Sequence, residues 1–201
     1  MNLKINKPKI NIFEVGAGDV FTAKSKQYWG QDRFDVTLFE PNPFLFKSLL
    51  KKALKYNNVK IHNIAISNEE KLGKLVCAGV LSYLENMASP INTIFKGKLN
   101  EMLNSFIVPV NLMRIDSFDN DIDFLILGME GAEFTVFQYL KSRPHIIILH
   151  NYFANDYGYT FPYFNFIQQW CQSNNYEIVP GIPDMTLINR NSVNEGILQL
   201  N

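Results

Sequence analysis

The chain is poor in cysteine, carries no excess of either charge, and contains no long apolar run. Cys77 and Cys171 are its only thiols. They lack the paired spacing of a metal knuckle or redox motif, and no disulfide framework can organise the fold. Both read as buried thiols of a reducing compartment. Lysine plus arginine (19) equals aspartate plus glutamate (19). The basic surplus that phosphate neutralisation demands is therefore missing, and nucleic acid is not an expected partner. Lys4, Lys7 and Lys9 are expected to be solvated. No apolar stretch approaches the ~20 residues that span a bilayer, and the N-terminus has no apolar h-region of a signal peptide. The expectation is a cytoplasmic chain with no membrane partner. His62, His145 and His150 are not spaced as metal ligands, so no metal site is expected.

What is present is an apolar fraction of 47% in 201 residues, enough for a real core. Strand-like and helix-like stretches alternate, the pattern of an α/β domain with a mainly parallel sheet. Strands are predicted at 10–15, 35–39, 59–66, 122–128 and 144–149, and a closing antiparallel hairpin at 176–179 and 185–189. Asn42 and Pro43 predict a helix start, with Phe46, Leu49, Leu50 and Ala53 as its inner stripe and Lys47, Lys51, Lys52 and Lys55 on the solvated face. Between residues 71 and 113 the pattern predicts a hairpin around 74–84, a helix near 94–103 and an extended piece at 106–112. Pro109 marks that piece as an edge or irregular strand. A helix over 163–173 turns Phe166, Ile167, Trp170 and Cys171 inward. There is no repeat or linker, and residues 1–201 read as one domain.

Three glycine- and carboxylate-rich strand ends carry the chemistry, because ligands of open α/β sheets bind at the carboxyl ends of strands. Gly16, Ala17 and Gly18 follow the first strand, opening a helix, and permit close approach of backbone to a ligand. The third glycine of a dinucleotide fingerprint falls at Phe21, which disfavours a pyrophosphate and hence a nicotinamide oxidoreductase. Glu40 ends the next strand at the spacing of a carboxylate that accepts from ribose hydroxyls. A nucleoside cofactor without a diphosphate fits both features, and S-adenosylmethionine is the commonest. The third end, Gly128-Met129-Glu130-Gly131-Ala132-Glu133, is expected to place Glu130 and Glu133 on one face of a helix that begins there.

The segments FEVGAGD (13–19), LFEPNP (38–43), NIAISN (63–68), VNLMRIDSF (110–118) and MEGAEFTVF (129–137) resemble, in order and spacing, the FkbM-like methyltransferases. The resemblance implies a Rossmann-like sheet of seven strands in the order 3-2-1-4-5-7-6, helices on both faces, and O-methyl transfer from S-adenosylmethionine to a small molecule or glycan unit. Carried over by position, Glu14, Gly16 and Gly18 line the methionine and ribose end, Glu40 takes the ribose hydroxyls, and Asn63, Ile64 and Ala65 flank the adenine. Ala17, Pro41 and Gly128 complete the cofactor set. The family usually reads Lys-Ile-Asp-Val-Glu-Gly-Ala-Glu at the fourth strand; here Ile126 stands for the lysine and Gly128 for the aspartate.

An alcohol acceptor benefits from a base. Glu130 is the first candidate and His150, at the end of the fifth strand, the second. Each has a plainer role open to it, a helix-start carboxylate for Glu130 and a packing group for His150. Asp116 also stands at the carboxyl edge, and Glu133 is expected to bind backbone N–H groups. Tyr152, Phe153, Tyr157, Tyr159 and Phe161 are expected either to contact the acceptor or to seal the sheet end, and residues 79–90 to form a second wall. The rival to an enzyme is a cofactor-binding protein without turnover, motivated by Gly128.

Overall fold

The computed structural model describes residues 3–19, 21–79, 81–85, 104–150, 164–181 and 184–200. The helix expected near 94–103 and the aromatic cluster at 152–161 lie outside them. In chain order the strands are β1 (Leu3–Ile5), β2 (Ile10–Val15), β3 (Phe34–Phe39), β4 (Val59–His62), β5 (Ala65–Ile66), β6 (Lys71–Cys77), β7 (Tyr83–Leu84), β8 (Phe106–Met113), β9 (Phe124–Leu127), β10 (Ile146–Leu149), β11 (Tyr176–Val179), β12 (Met185–Asn189) and β13 (Leu198–Leu200). The α-helices are α1 (Pro43–Ala53), α2 (Phe134–Tyr139), α3 (Phe164–Ser173) and α4 (Arg190–Asn194).

The principal sheet has seven strands in the order β11-β12-β10-β9-β2-β3-β4. Strands β10, β9, β2, β3 and β4 pair in parallel, whereas β12 is antiparallel to both β10 and β11, so the sheet is mixed. Side chains alternate between two cores, as the two-residue strand period requires. Phe13, Val15, Phe39, Leu125, Leu127, Ile147 and Leu149 enter one core, under Val136 and Phe137 of α2 and Ile167 and Cys171 of α3. Ile10, Ile12, Val36, Leu38, Ile126 and Ile146 enter the other, under Leu49 of α1. Burial on both faces explains why these strands read as unbroken apolar runs. Each such side chain contributes about 1.5–3 kcal/mol when removed fully from water.

Helix α1 starts where the sequence predicts. Asn42 Oδ1 accepts from Phe44 N at 3.0 Å and Leu45 N at 3.5 Å, and Pro43 occupies the first turn. Of the expected inner stripe, Leu49 and Ala53 are fully buried, with Phe46 and Leu50 half-buried.

Two expectations need correction. The predicted strand 59–66 is broken at Asn63-Ile64, and β5 leaves the principal sheet for a second one, ordered β5-β8-β6-β7. Strand β8 lies between β5 and β6, but β5 reaches only Leu112 and Met113, so among the described residues Pro109 has a strand on one side alone, the edge position expected of it. Lys74 faces Pro109, but its carbonyl accepts from Glu85 N on the opposite side (3.0 Å). Lys74 and Pro109 are therefore a non-hydrogen-bonded pair, and no ladder bond is lost to the missing N–H. The N-terminal lysines are also not all solvated. Lys7 Nζ sits 2.6 Å from buried Asp123 and 3.2 Å from Asp121, whereas Lys4 and Lys9 are exposed as expected. A short ribbon of β1 and β13, unforeseen from sequence, packs Ile5 and Leu198 into the second core.

Candidate functional site

At the carboxyl end of β2 the chain turns through Gly16 (φ +76°) and Gly18 (φ +68°). Gly16 N and Ala17 N donate to Phe39 O at 2.9 and 3.1 Å, and Gly128 N donates to Val15 O at 2.9 Å, so the ends of β2, β3 and β9 are tied together. A turn and a five-residue 3-10 helix, Lys24–Tyr28, follow in place of the expected α-helix. Glu14 explains that segment. Its carboxylate accepts from Lys24 N (2.7 Å), Ser25 N (3.0 Å) and Ser25 Oγ (2.5 Å). Burial pushes the Glu14 carboxyl above its usual range, against the pull of these donors. Glu14 borders a cavity, but its charge is committed to the start of the 3-10 helix.

Glu40 is buried and accepts from Gly18 N at 2.6 Å and Asn42 N at 2.8 Å. Burial raises it to about 8; the two N–H donors oppose the shift, while the nearby Glu14 and Asp19 charges add to it. Asn63 Nδ2 donates to the carbonyls of Glu40 (2.8 Å) and Pro41 (3.1 Å), which holds the turn after β3. Asn63 itself is exposed and lines neither of the cavities described next, whereas Ile64 and Ala65 line the first.

Two cavities meet at the strand ends. The first is lined by Gly16, Gly18, Glu40, Pro41, Ile64, Ala65, Gly128 and Met129, and by Ile66, Leu75, Gly79, Ser82 and Leu84 from the second sheet and its loop. The second is lined by Glu14, Ala17, Thr22, Lys24, Leu81, Ile126, Glu130 and His150. Gly16, Gly18 and Gly128 belong to both. The wall expected from residues 79–90 is thus divided between the cavities, and residues 80 and 86–90 lie outside the described set.

Glu130 and Glu133 do not share a helix face, because α2 begins only at Phe134. Glu130 takes the left-handed conformation (φ +52°), rare for a residue with a side chain, and Gly131 follows at φ +108°. This reversal turns the chain back over itself. Glu133 accepts from Met129 N (2.9 Å) and Gly131 N (3.0 Å), the structural role expected of it. Glu130 is buried against the second cavity. Asp116 is held by Arg114 at 3.0 and 2.8 Å and lines neither cavity.

His150 is anchored at the end of β10 by its N–H to Leu127 O (2.7 Å), and its Nδ1 lies 2.6 Å from Asp184 Oδ1. The other oxygen of Asp184 lies 2.5 Å from Lys24 Nζ. Burial disfavours the Asp184 charge, but the bonds to Lys24 and His150 outweigh it and hold the carboxyl below its usual range. Sequence reasoning missed both partners. Asp184 stood in a turn that explained itself as a hairpin connection, and Lys24 stood in an unremarkable loop.

A mixed α/β sheet with paired cavities at its carboxyl ends is a methyltransferase-like fold. The chain belongs to the FkbM methyltransferase family, since residues 11–178 match the methyltransferase FkbM domain. S-adenosylmethionine is the family's methyl donor and the cofactor of this chain. No curated protein matches the chain. Solved structures with a similar fold include fibrillarin from Aeropyrum pernix with natively bound S-adenosylmethionine. It shows 9% identity over 92% of this chain and 69% of that one, at a TM-score of 0.49. Precorrin-6y C5,15-methyltransferase from Geobacter metallireducens shows 12% identity over 90% of this chain and 78% of its own (TM-score 0.45). The N-methyltransferase NodS from Bradyrhizobium japonicum shows 7% over 90% and 85% (TM-score 0.43). Among the described residues no helix is long and apolar enough to cross a membrane.

Proposed function

We propose that this single-domain protein transfers the methyl group of S-adenosylmethionine to a hydroxyl of a small molecule or glycan unit. The observation that carries the proposal is the junction of the two cavities at three residues without side chains, Gly16, Gly18 and Gly128. The nucleoside lies in the first cavity, with its ribose hydroxyls donating to Glu40 and its adenine against Ile64 and Ala65. The sulfonium lies at the junction, and the acceptor enters the second cavity, where Glu130 and His150 stand. Attack along the carbon–sulfur axis then needs only alignment of two bound molecules, the entropic advantage of holding reactants together. Glu130 and His150 are the two groups placed to take the hydroxyl proton.

Gly128 favours a second reading, a protein that binds the cofactor without turnover, because no carboxylate stands at that position. Single-turnover transfer from methyl-labelled S-adenosylmethionine to a panel of sugars and phenols separates the two. Label in an ether product supports the first. Tight cofactor binding with label only in an amine or carbon product replaces the hydroxyl acceptor with another class.

A further inference from the structure

We propose that Asp184 and Lys24 are positioning residues that hold His150 as the proton acceptor for the acceptor hydroxyl. The inference deepens the function proposed above and rests on it. Asp184 bears two partners at hydrogen-bond distance, His150 Nδ1 at 2.6 Å and Lys24 Nζ at 2.5 Å, one on each oxygen. An ionised carboxylate only accepts, so Nδ1 must carry the imidazole hydrogen and the neutral ring keeps its Nε2 lone pair bare. His150 is about one-third exposed and lines the second cavity, and the Cδ2 edge of its ring, next to Nε2, is the edge nearest Gly128.

The aim of Asp184 is itself built in. Lys24 N is held by buried Glu14 at 2.7 Å, and Ser25, the next residue, is held by the same carboxylate. Lys24 therefore leaves the backbone at a fixed point and reaches to the residue just before β12, a sequence separation of 160. Glu14, Lys24, Asp184 and His150 form one chain of contacts from the first strand to the junction of the cavities. The charged groups bordering that cavity beside His150 are Lys24, Glu130 and Glu14, with Asp184 behind the ring.

In the step that follows, the acceptor oxygen forms a bond to the methyl carbon as the carbon–sulfur bond breaks. The electron pair stays on sulfur, and the hydroxyl proton passes to Nε2 of His150. The products are a methyl ether and S-adenosylhomocysteine, and the imidazolium returns its proton to solvent.

The test reads positioning apart from packing. Asp184→Asn should lose about a hundredfold or more in kcat, as for a misaligned base, with little change in KM for S-adenosylmethionine, and Asp184→Glu should recover part of the loss. Lys24→Met should lower kcat as well. Because both residues act through His150, neither substitution should cost anything further in a His150→Gln background, whereas a residue that merely packs would add its own loss there. Additive losses overturn the proposal, and so does an unmoved kcat in Asp184→Asn. If Asp184→Asn fails to fold, Lys24→Met in the two backgrounds decides alone. The ring nitrogen resonances of His150, assigned by their loss in His150→Gln, should report hydrogen on Nδ1 in the wild type and a changed tautomer in Asp184→Asn. A wild type that methylates no hydroxyl, yet shows that tautomer change, overturns the hydroxyl-acceptor function and leaves the positioning of His150 supported.

Discussion

A Cβ built on Gly16 would lie 1.9 Å from the carbonyl oxygen of Gly128, backbone against backbone. The glycine after the first strand is thus required by the approach of β2 and β9 as well as by any ligand. Its φ of +76° adds a second prohibition. Gly16→Ala should therefore destabilise the fold itself by several kcal/mol, roughly the sum of a severe overlap and a left-handed backbone. The expected result is a protein largely unfolded in urea titrations where the wild type is native. A native Gly16→Ala would show that β9 has room to retreat.

Gly128 behaves differently. A Cβ there meets Gly16 O at 3.4 Å and His150 Cβ and Cδ2 at 3.6 Å, ordinary contacts, so Gly128→Ala should fold with a melting temperature close to wild type. The added methyl group borders both cavities. Turnover should fall tenfold or more, the scale of a small misplacement of reactants (about 10²-fold per Å). Stopped-time product assays beside thermal denaturation distinguish a blocked junction from a damaged fold.

Glu40 predicts a pH dependence with a definite sign. Its folded value of about 8 exceeds the ordinary 4.5, so the native state holds a proton that the unfolded chain has released. Stability from this group is complete below the unfolded value and falls as pH rises from 4.5 to about 8. Glu40→Gln should remove that slope from the difference in denaturation free energy. Ribose hydroxyls donate to the carboxylate, so S-adenosylmethionine affinity should rise with pH across the same window. Glu40→Gln should weaken binding by about 1.5–3 kcal/mol, roughly tenfold to a hundredfold, and flatten its pH profile. Calorimetric titration at several pH values measures both, and a pH-independent wild type would detach Glu40 from the ribose.

Glu130 offers a comparison of two truncations. Glycine suits φ +52° and alanine does not. Glu130→Gly should thus be more stable than Glu130→Ala by about 1 kcal/mol, although both remove the same carboxylate. Equal melting temperatures would mean that the reversal relaxes once the side chain is gone. Glu130→Gln tests the chemistry separately. A neutral isostere should leave His150 as the sole base and reduce turnover far less than His150→Gln.

Asn42 joins a helix cap to the first cavity. Its side chain accepts from Phe44 N and Leu45 N and donates to Ser82 Oγ at 3.0 Å, while its own N–H donates to Glu40. Asn42→Ala should cost about 1 kcal/mol through the lost cap, with Asn42→Asp recovering most of it. Chemical denaturation of the three proteins checks the order.

Elements with a local cause were legible in the sequence. Strands β2, β3 and β9 announce themselves as apolar runs ended by glycine or carboxylate, β10 as the unbroken apolar run Ile146–Leu149, and α1 by Asn42-Pro43. The second sheet was not legible, because Val59–Ile66 reads as one strand and nothing local shows that the chain changes sheets at Asn63. The site divides in the same way. Glu40 and the glycines follow from spacing along the chain, and both line the cavities. The commitment of Glu14 to Lys24 and Ser25, and the bond between His150 and Asp184, exist only through contacts between distant turns. The left-handed Glu130 was hidden because a glutamate gives no sign of φ, and its pairing with Glu133 on a helix failed with it.

The departure of β5 from the principal sheet has a mechanical consequence. The first cavity has one wall on each of two separately hydrogen-bonded sheets, Glu40 and Gly128 on one side, Leu75 and Leu84 on the other. A ligand seated between them is a cross-brace, and its binding energy is drawn on whenever the smaller sheet swings away. Amide exchange in β6 and β8 should then slow on ligand addition by the factor that mass action assigns to the ligand concentration. Exchange in β2 and β3, which open only with the whole sheet, should respond to global stability instead.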